Sequence, residues 1–232
     1  MDTIVLIHGA WGGGWVWRDV ARRLRKDGFE VYTPTLSGVG ARHHIPAEVV
    51  DLGTHIEDVA ALMRYERLKD VLLVGHSYGG MVVTGAADRE IERIGAMVYL
   101  DAFLPEPGQS LWDVVGPQGA ENQRLAAEAH DGGRTLPYHL AEIADPERPY
   151  TPQPLATFNR PWTSTRTTQT WPHRHFVRCL QNPRPVFHRI AARLETTPGW
   201  SVEAVDAAHD VPQTHPELIA AILATQARRP AQ

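Results

Sequence analysis

The sequence predicts an α/β protein built on a doubly wound, mostly parallel sheet, and three observations predict it. Short apolar runs recur at residues 3–7, 30–33, 70–74, 94–100, 175–179 and 200–205, which makes six candidate strands. Several are apolar on both faces, as strands buried inside a parallel sheet must be. Between them lie stretches of helical period, and strand and helix alternate in the order that winds helices onto both sides of a sheet.

The first run, residues 3–7, ends in HGAWGGGW, where glycines let backbone approach a ligand closely. The second, residues 30–33, is short. Ile56, Val59, Ala60 and Met63 mark one face of a helix before the third run, residues 70–74. That run ends abruptly in Gly75-His76-Ser77-Tyr78-Gly79-Gly80, and a helical stretch follows from Tyr78 towards Asp88. The fourth run, residues 94–100, leads into Asp101. There the alternation fails: ten of the eighteen prolines fall between Ala102 and Pro172, and PERPYTPQPL blocks any long helix or central strand. An insertion after a strand's carboxyl end lies where open α/β sheets bind ligands, so residues 102–172 are read as a cap over a site. Alternation resumes with residues 175–179, the helix face Phe187, Ile190, Ala191 and Leu194, and residues 200–205. A last helix begins near Pro216, a proline suited to a first turn, with Thr214 or His215 as its cap.

Composition sets limits on function. With 43% hydrophobic and 22% charged residues, the 232-residue chain fits one globular domain. A net charge of -4 and no long basic block give no electrostatic footprint for nucleic acid or anionic lipid. Cys179 is the single cysteine, so no internal disulfide forms and no cysteine spacing offers a metal site. No apolar run approaches the ~20 residues of a membrane span, and residues 1–7 lack the pattern of a signal peptide. The expectation is a cytoplasmic protein with a neutral or weakly charged small-molecule partner, no nucleic acid and no membrane; monomer and homodimer both stay open.

GxSxG gains weight from its setting between a strand and a helix, the setting of a nucleophile elbow with Ser77 at its tip. Gly75 and Gly79 lack side chains that would collide across the turn, and Gly80 lets the helix approach the sheet. The helix start aims Tyr78 N–H at the serine, where an oxyanion would develop. The second donor belongs to the loop after the first strand: Ala10 N–H, with Trp11 N–H as a weaker substitute. His8 in that loop is read as a packing residue bonded to backbone. The base is expected beyond the last strand, where His209 follows directly and His215 looks like a helix-start residue. His76 points away from the serine and is read as a packing or cap-contact residue.

HGAWGGGWVWRDVARRL, TPTLSGVGAR, VGHSYGGMV, VYLDAFLP and AHDVPQTHPELIA resemble, in the same order, the plant methylesterase and hydroxynitrile lyase group of α/β-hydrolases and its bacterial esterase-like relatives. The resemblance covers nearly the whole chain and is weakest across the cap. It implies a six-stranded sheet, no cofactor, and a Ser-His-Asp triad in which His209 fits the family's Gly-His-Asp signature with Ala208 replacing glycine. The family's usual acid follows the fifth strand, and here Asn182 stands in its place. An amide lacks the charge that stabilises imidazolium. Asp101, at the end of the fourth strand, supplies the missing carboxylate, as in α/β-hydrolases that take their acid from that neighbouring strand; Asn182 is the second candidate. Asp206 sits too near its strand, and Asp210 adjoins His209.

The function expected is cofactor-independent serine hydrolysis of small or medium carboxylic esters, with methyl esters, carbamates and lactones open to the same machinery. Trp11, Trp15, Trp112, Trp162 and Trp171 hint at an aromatic acyl pocket. Two competitors follow from the same fold. A cyanohydrin lyase of the group adds a lysine by the acid and a threonine in the first loop, whereas this chain has Lys26, Lys69 and Ala10. A catalytically lapsed ligand-binding protein is motivated by Asn182. Cofactor-free oxygenases share the fold as well.

Overall fold

The computed structural model describes residues 1–138, 150–164, 171 and 173–229. Its main sheet has β1 (Thr3–Ile7), β2 (Glu30–Tyr32), β3 (Val71–His76) and β4 (Ile94–Leu100). A minor hairpin, β5 (Thr135–Leu136) with β6 (Gln153–Pro154), precedes the last two main strands, β7 (His173–Cys179) and β8 (Trp200–Val205). The main sheet runs β2-β1-β3-β4-β7-β8 with every pair parallel. All six expected strands are present. The third extends to His76 and excludes Asp70, whose positive φ of 49° ends the extended run.

The helices are α1 (Arg18–Lys26), α2 (Leu52–Tyr65), α3 (Gly79–Arg89), α4 (Leu111–Val115), α5 (Pro117–Asp131), α6 (Ala156–Asn159), α7 (Pro185–Glu195), α8 (Val211–Thr214) and α9 (Pro216–Ala227). Strand residues alternate between two cores. Val5, Ile7, Leu73 and Tyr99 pack with α2, α3 and α7, whereas Ile4, Leu6, Val74 and Val98 pack with α1 and α9. This two-sided burial explains strands without a polar face. At α9, His215 occupies the cap position but makes no side-chain cap bond; the Pro216 start stands.

Residues 101–172 form an insert between β4 and β7, of which 139–149, 165–170 and 172 lie outside the described residues. Its helix α5 spans 15 residues, longer than the proline-rich sequence suggested. Pro117 starts it and Gly132, at φ 73°, closes it in the left-handed region. Trp162 and Trp171 are buried in the core on the α2/α3 side, and Trp112, partly buried, packs against that core. Among the described residues no helix is long and apolar enough to cross a membrane.

Because the main strands are parallel, the loops after β1, β3, β4, β7 and β8 emerge at one end of the sheet. The chain leaves β1 towards β2 and returns to β3 on the other side, and that switch point is where such sheets bind ligands.

Candidate active site

Ser77 follows β3 directly, with φ at 54° in the left-handed region. A non-glycine residue holds that conformation only when its surroundings enforce it. Here Ser77 N–H donates to Leu100 C=O (3.3 Å), while Ser77 C=O accepts from Gly80 N–H (3.1 Å) and Phe103 N–H (3.0 Å). The turn is too tight for side chains on its glycines: a Cβ on Gly75 would stand 2.7 Å from Gly79 O, and one on Gly80 only 2.0 Å from Phe103 O.

His209 lies on the loop between β8 and α8, and its Nε2 is 2.9 Å from Ser77 Oγ. Its Nδ1 is 2.7 Å from Asp101 Oδ2. A carboxylate only accepts, so Nδ1 carries the proton and Nε2 is free to accept from the serine hydroxyl. Phe187 stacks on the imidazole with ring centroids 5.1 Å apart. Asp101 is wholly buried at the end of β4, itself at a positive φ of 42°. Burial works against its charge, yet hydrogen bonds from His209, Asn182 Nδ2 (2.5 Å) and Cys179 N–H (3.2 Å) outweigh it and hold the carboxyl below its usual range.

Asn182 does not take the acid's place. Its Oδ1 accepts from Arg184 N–H (3.1 Å), which turns Nδ2 towards Asp101. Nδ2 also lies 3.2 Å from His209 Nδ1, but both nitrogens are donors and that contact is no bond. The amide therefore serves the carboxylate and leaves the imidazole to Asp101.

Among the described residues neither Ala10 N–H nor Tyr78 N–H is taken by a backbone partner. Trp11 N–H, the weaker substitute, is occupied by Gln153 Oε1 at 2.9 Å. The Tyr78 side chain is anchored on the far side of the elbow. His55 Nε2–H donates to Ser37 C=O (2.7 Å), so its Nδ1 accepts the Tyr78 hydroxyl (2.9 Å). A cavity of about 310 Å³ opens over Ser77; Ala10, Trp11, Tyr138, Tyr150 and Asn182 are among its walls. Of the five tryptophans that hinted at a pocket, Trp11 alone lines this cavity, and stacked Tyr138 and Tyr150, centroids 4.1 Å apart, supply the other aromatic faces. The imidazole, carboxylate and serine together form a geometry in which the ring can take the hydroxyl proton while the acid holds its far nitrogen. A family model described as "Alpha/beta hydrolase family" matches residues 4–222.

The chain belongs to the alpha/beta hydrolase family. Within it, the chain is 40% identical to a carbendazim hydrolyzing esterase of Nocardioides sp. (strain SG-4G) over 97% of this chain and 99% of that protein. Methyl jasmonate esterase 1 of Vitis vinifera is 32% identical over a shorter stretch, 46% of this chain and 41% of that one. An extracellular alpha/beta-hydrolase from a Paenibacillus species, described as homologous in structure and function to tobacco salicylic acid binding protein 2, shares the fold. It superposes with a TM-score of 0.85 at 24% identity, covering 99% of this chain and 100% of that one.

The remaining histidines of this hydrolase sort by contact. His8 donates from Nδ1 to Gly9 C=O (2.7 Å) and accepts Leu36 N–H at Nε2 (3.0 Å), a backbone-bonded packing residue as expected. His215 is exposed, bonded to Thr214, and absent from the cavity wall. His76 is buried and packs edge-on to Trp17, as a packing residue does, and it makes a specific contact besides. It meets the loop after β8, where its Nε2–H donates to His209 C=O (2.9 Å) and the two rings lie 4.8 Å apart, and it lines the same cavity as Ser77. Burial, then the neighbouring His209, lowers its pKa, so it stays a neutral donor. Lys26 and Lys69 are both exposed and absent from the cavity wall.

Proposed function

We propose that the protein is a cofactor-independent serine hydrolase that cleaves small or medium carboxylic esters through an acyl-enzyme. One observation carries the proposal: the unbroken line from Ser77 Oγ through His209 to Asp101, with links of 2.9 Å and 2.7 Å. His209 Nε2 takes the hydroxyl proton as Oγ attacks the ester carbonyl carbon, and Asp101 stabilises the imidazolium. The N–H groups of Ala10 and Tyr78 hold the oxyanion. Collapse of the tetrahedral intermediate breaks the bond to the alkoxy group, which leaves as an alcohol with the proton from Nε2. Water then attacks the acyl-enzyme, gives its proton to the same nitrogen, and releases the acid and Ser77. The insert acts as a cap that walls the cavity through Tyr138 and Tyr150.

The 40% identical relative's name extends the substrate class to carbamate esters, with carbendazim, an aromatic methyl carbamate, as the first compound to try. Flat aromatic walls suit such a planar group. The motive for a lapsed binding protein, an acid-free histidine, disappears at an Asp101–His209 distance of 2.7 Å. The test is alcohol release from a panel of methyl esters, aryl esters and carbendazim by wild type and Ser77→Ala. At least one compound is turned over, and the variant loses at least about 10³-fold in kcat. An unchanged Ser77→Ala rate would sink the proposal, as would cyanide release from a cyanohydrin with no ester turned over.

A further inference from the structure

We infer that Gln153, a residue of the insert, is a positioning residue for the oxyanion donor on the loop after β1; the inference rests on the hydrolase reading. Gln153 is 1% exposed and 142 positions from Trp11 in sequence, yet its Oε1 accepts Trp11 N–H at 2.9 Å. Its Nε2 donates to Thr157 Oγ1 (2.8 Å), and Thr157 spends its own hydroxyl proton on Pro154 C=O (2.7 Å). Thr157 can then only accept from Gln153, so the amide must present nitrogen to Thr157 and oxygen to Trp11. The side chain has one orientation available.

Trp11 needs such a partner. Its φ of 63° lies in the left-handed region, which a bulky residue holds only when contacts on several sides fix it. Two more come from the insert: Thr151 N–H donates to Trp11 C=O (3.0 Å), and the indole N–H donates to Leu136 C=O (2.9 Å). Gln153 sits in β6 and Leu136 in β5, so one hairpin grips the residue next to Ala10. The bond to Gln153 withdraws Trp11 N–H from the cavity and fixes the peptide plane that follows Ala10. Without that acceptor the Trp11 N–H loses this bond, and the peptide after Ala10 loses the contact that fixes its plane. Ala10 φ and ψ, which join that peptide to the one carrying Ala10 N–H, would be less firmly held, and the donor's aim with them.

An oxyanion donor acts on the transition state far more than on bound substrate, so a loosened one lowers kcat with little change in KM. Gln153→Met keeps the size and removes the acceptor; its kcat should fall about tenfold to a hundredfold, below the cost of deleting a donor outright, with KM within about twofold. Gln153→Glu keeps an acceptor for Trp11. It should melt earlier, because it buries a carboxylate, yet regain most of the lost kcat, a split that a merely structural role would not produce. Thr157→Val, which removes the group that orients the amide, should be intermediate, and it serves as the test should Gln153→Met not fold. Folded Gln153→Met or Thr157→Val with wild-type kcat overturns the inference, as does Gln153→Glu as slow as Gln153→Met. A wild type inactive on every ester overturns the hydrolase reading beneath it.

Discussion

In the proposed triad Asp101 and Asn182 divide between them a task that one residue performs in the family pattern. The carboxylate at the end of β4 reaches His209, and the amide after β7 donates to that carboxylate. Asp101→Asn, which removes the charge behind the imidazolium, should lower kcat by about 10³- to 10⁴-fold, whereas Asn182→Ala, which removes one of its supports, should cost about tenfold. Asn182→Asp alone should also be harmful, since two carboxyls at hydrogen-bond distance cannot both stay ionised. Combined with Asp101→Asn, however, it should recover at least about tenfold over Asp101→Asn by moving the acid to the neighbouring loop. Steady-state kinetics of the four variants checks the set; a double variant no faster than Asp101→Asn would show that only the β4 position can serve His209. GxSxG between a strand and a helix pointed to Ser77, and position beyond the last strand pointed to His209. The support role of Asn182 was hidden, because it depends on Arg184 N–H fixing the amide's orientation.

Strand β3, the elbow and α3 form the most legible element, because strand, glycines and helix are contiguous and each residue's role is local. Gly80 shows how tight the unit is: with Phe103 O 2.0 Å from a would-be Cβ, Gly80→Ala must push α3 off the loop after β4. It should destabilise the protein by more than about 2 kcal/mol, read as a lowered denaturant midpoint, while Gly28→Ala, where a Cβ meets nothing within 4 Å but φ is 93°, should cost only about 1 kcal/mol from backbone strain. Helix α5 was the least legible. Of its 15 residues only Ala127 is buried, so no apolar stripe marks it, and only Pro117 and Gly132 hint at its ends. The β5–β6 hairpin is two residues per strand and leaves no periodicity to read.

Across the whole molecule the sheet was predictable because burial on both faces forces apolar runs, but nothing in the sequence marked His55 and His175 as interior. His8 and His175 are pushed down to about 4 by burial, and burial lowers His55 and His76 as well. Each stays neutral when folded and gains a proton when unfolded below the usual value near 6.5. Protons then bind the unfolded chain more strongly, so stability is flat above about pH 6.5 and falls as pH drops towards about 4. Each group contributes on the order of 1 kcal/mol by pH 5, and together they reach a large share of the stability of an ordinary domain. Melting temperatures between pH 8 and 4.5 should therefore hold level and then drop steeply. A flat profile down to pH 5 would mean that these rings are not held neutral.

The central claim is that His209 and Asp101 activate Ser77, and covalent labelling tests it most directly. A small fluorophosphonate reacts with a serine only when a base and oxyanion donors activate it. Intact mass and peptide mapping of treated protein should show one label per chain, on Ser77, formed much more slowly in Asp101→Asn. Folded wild-type protein that stays unlabelled at Ser77, or an Asp101→Asn variant labelled as fast as wild type, would contradict the account.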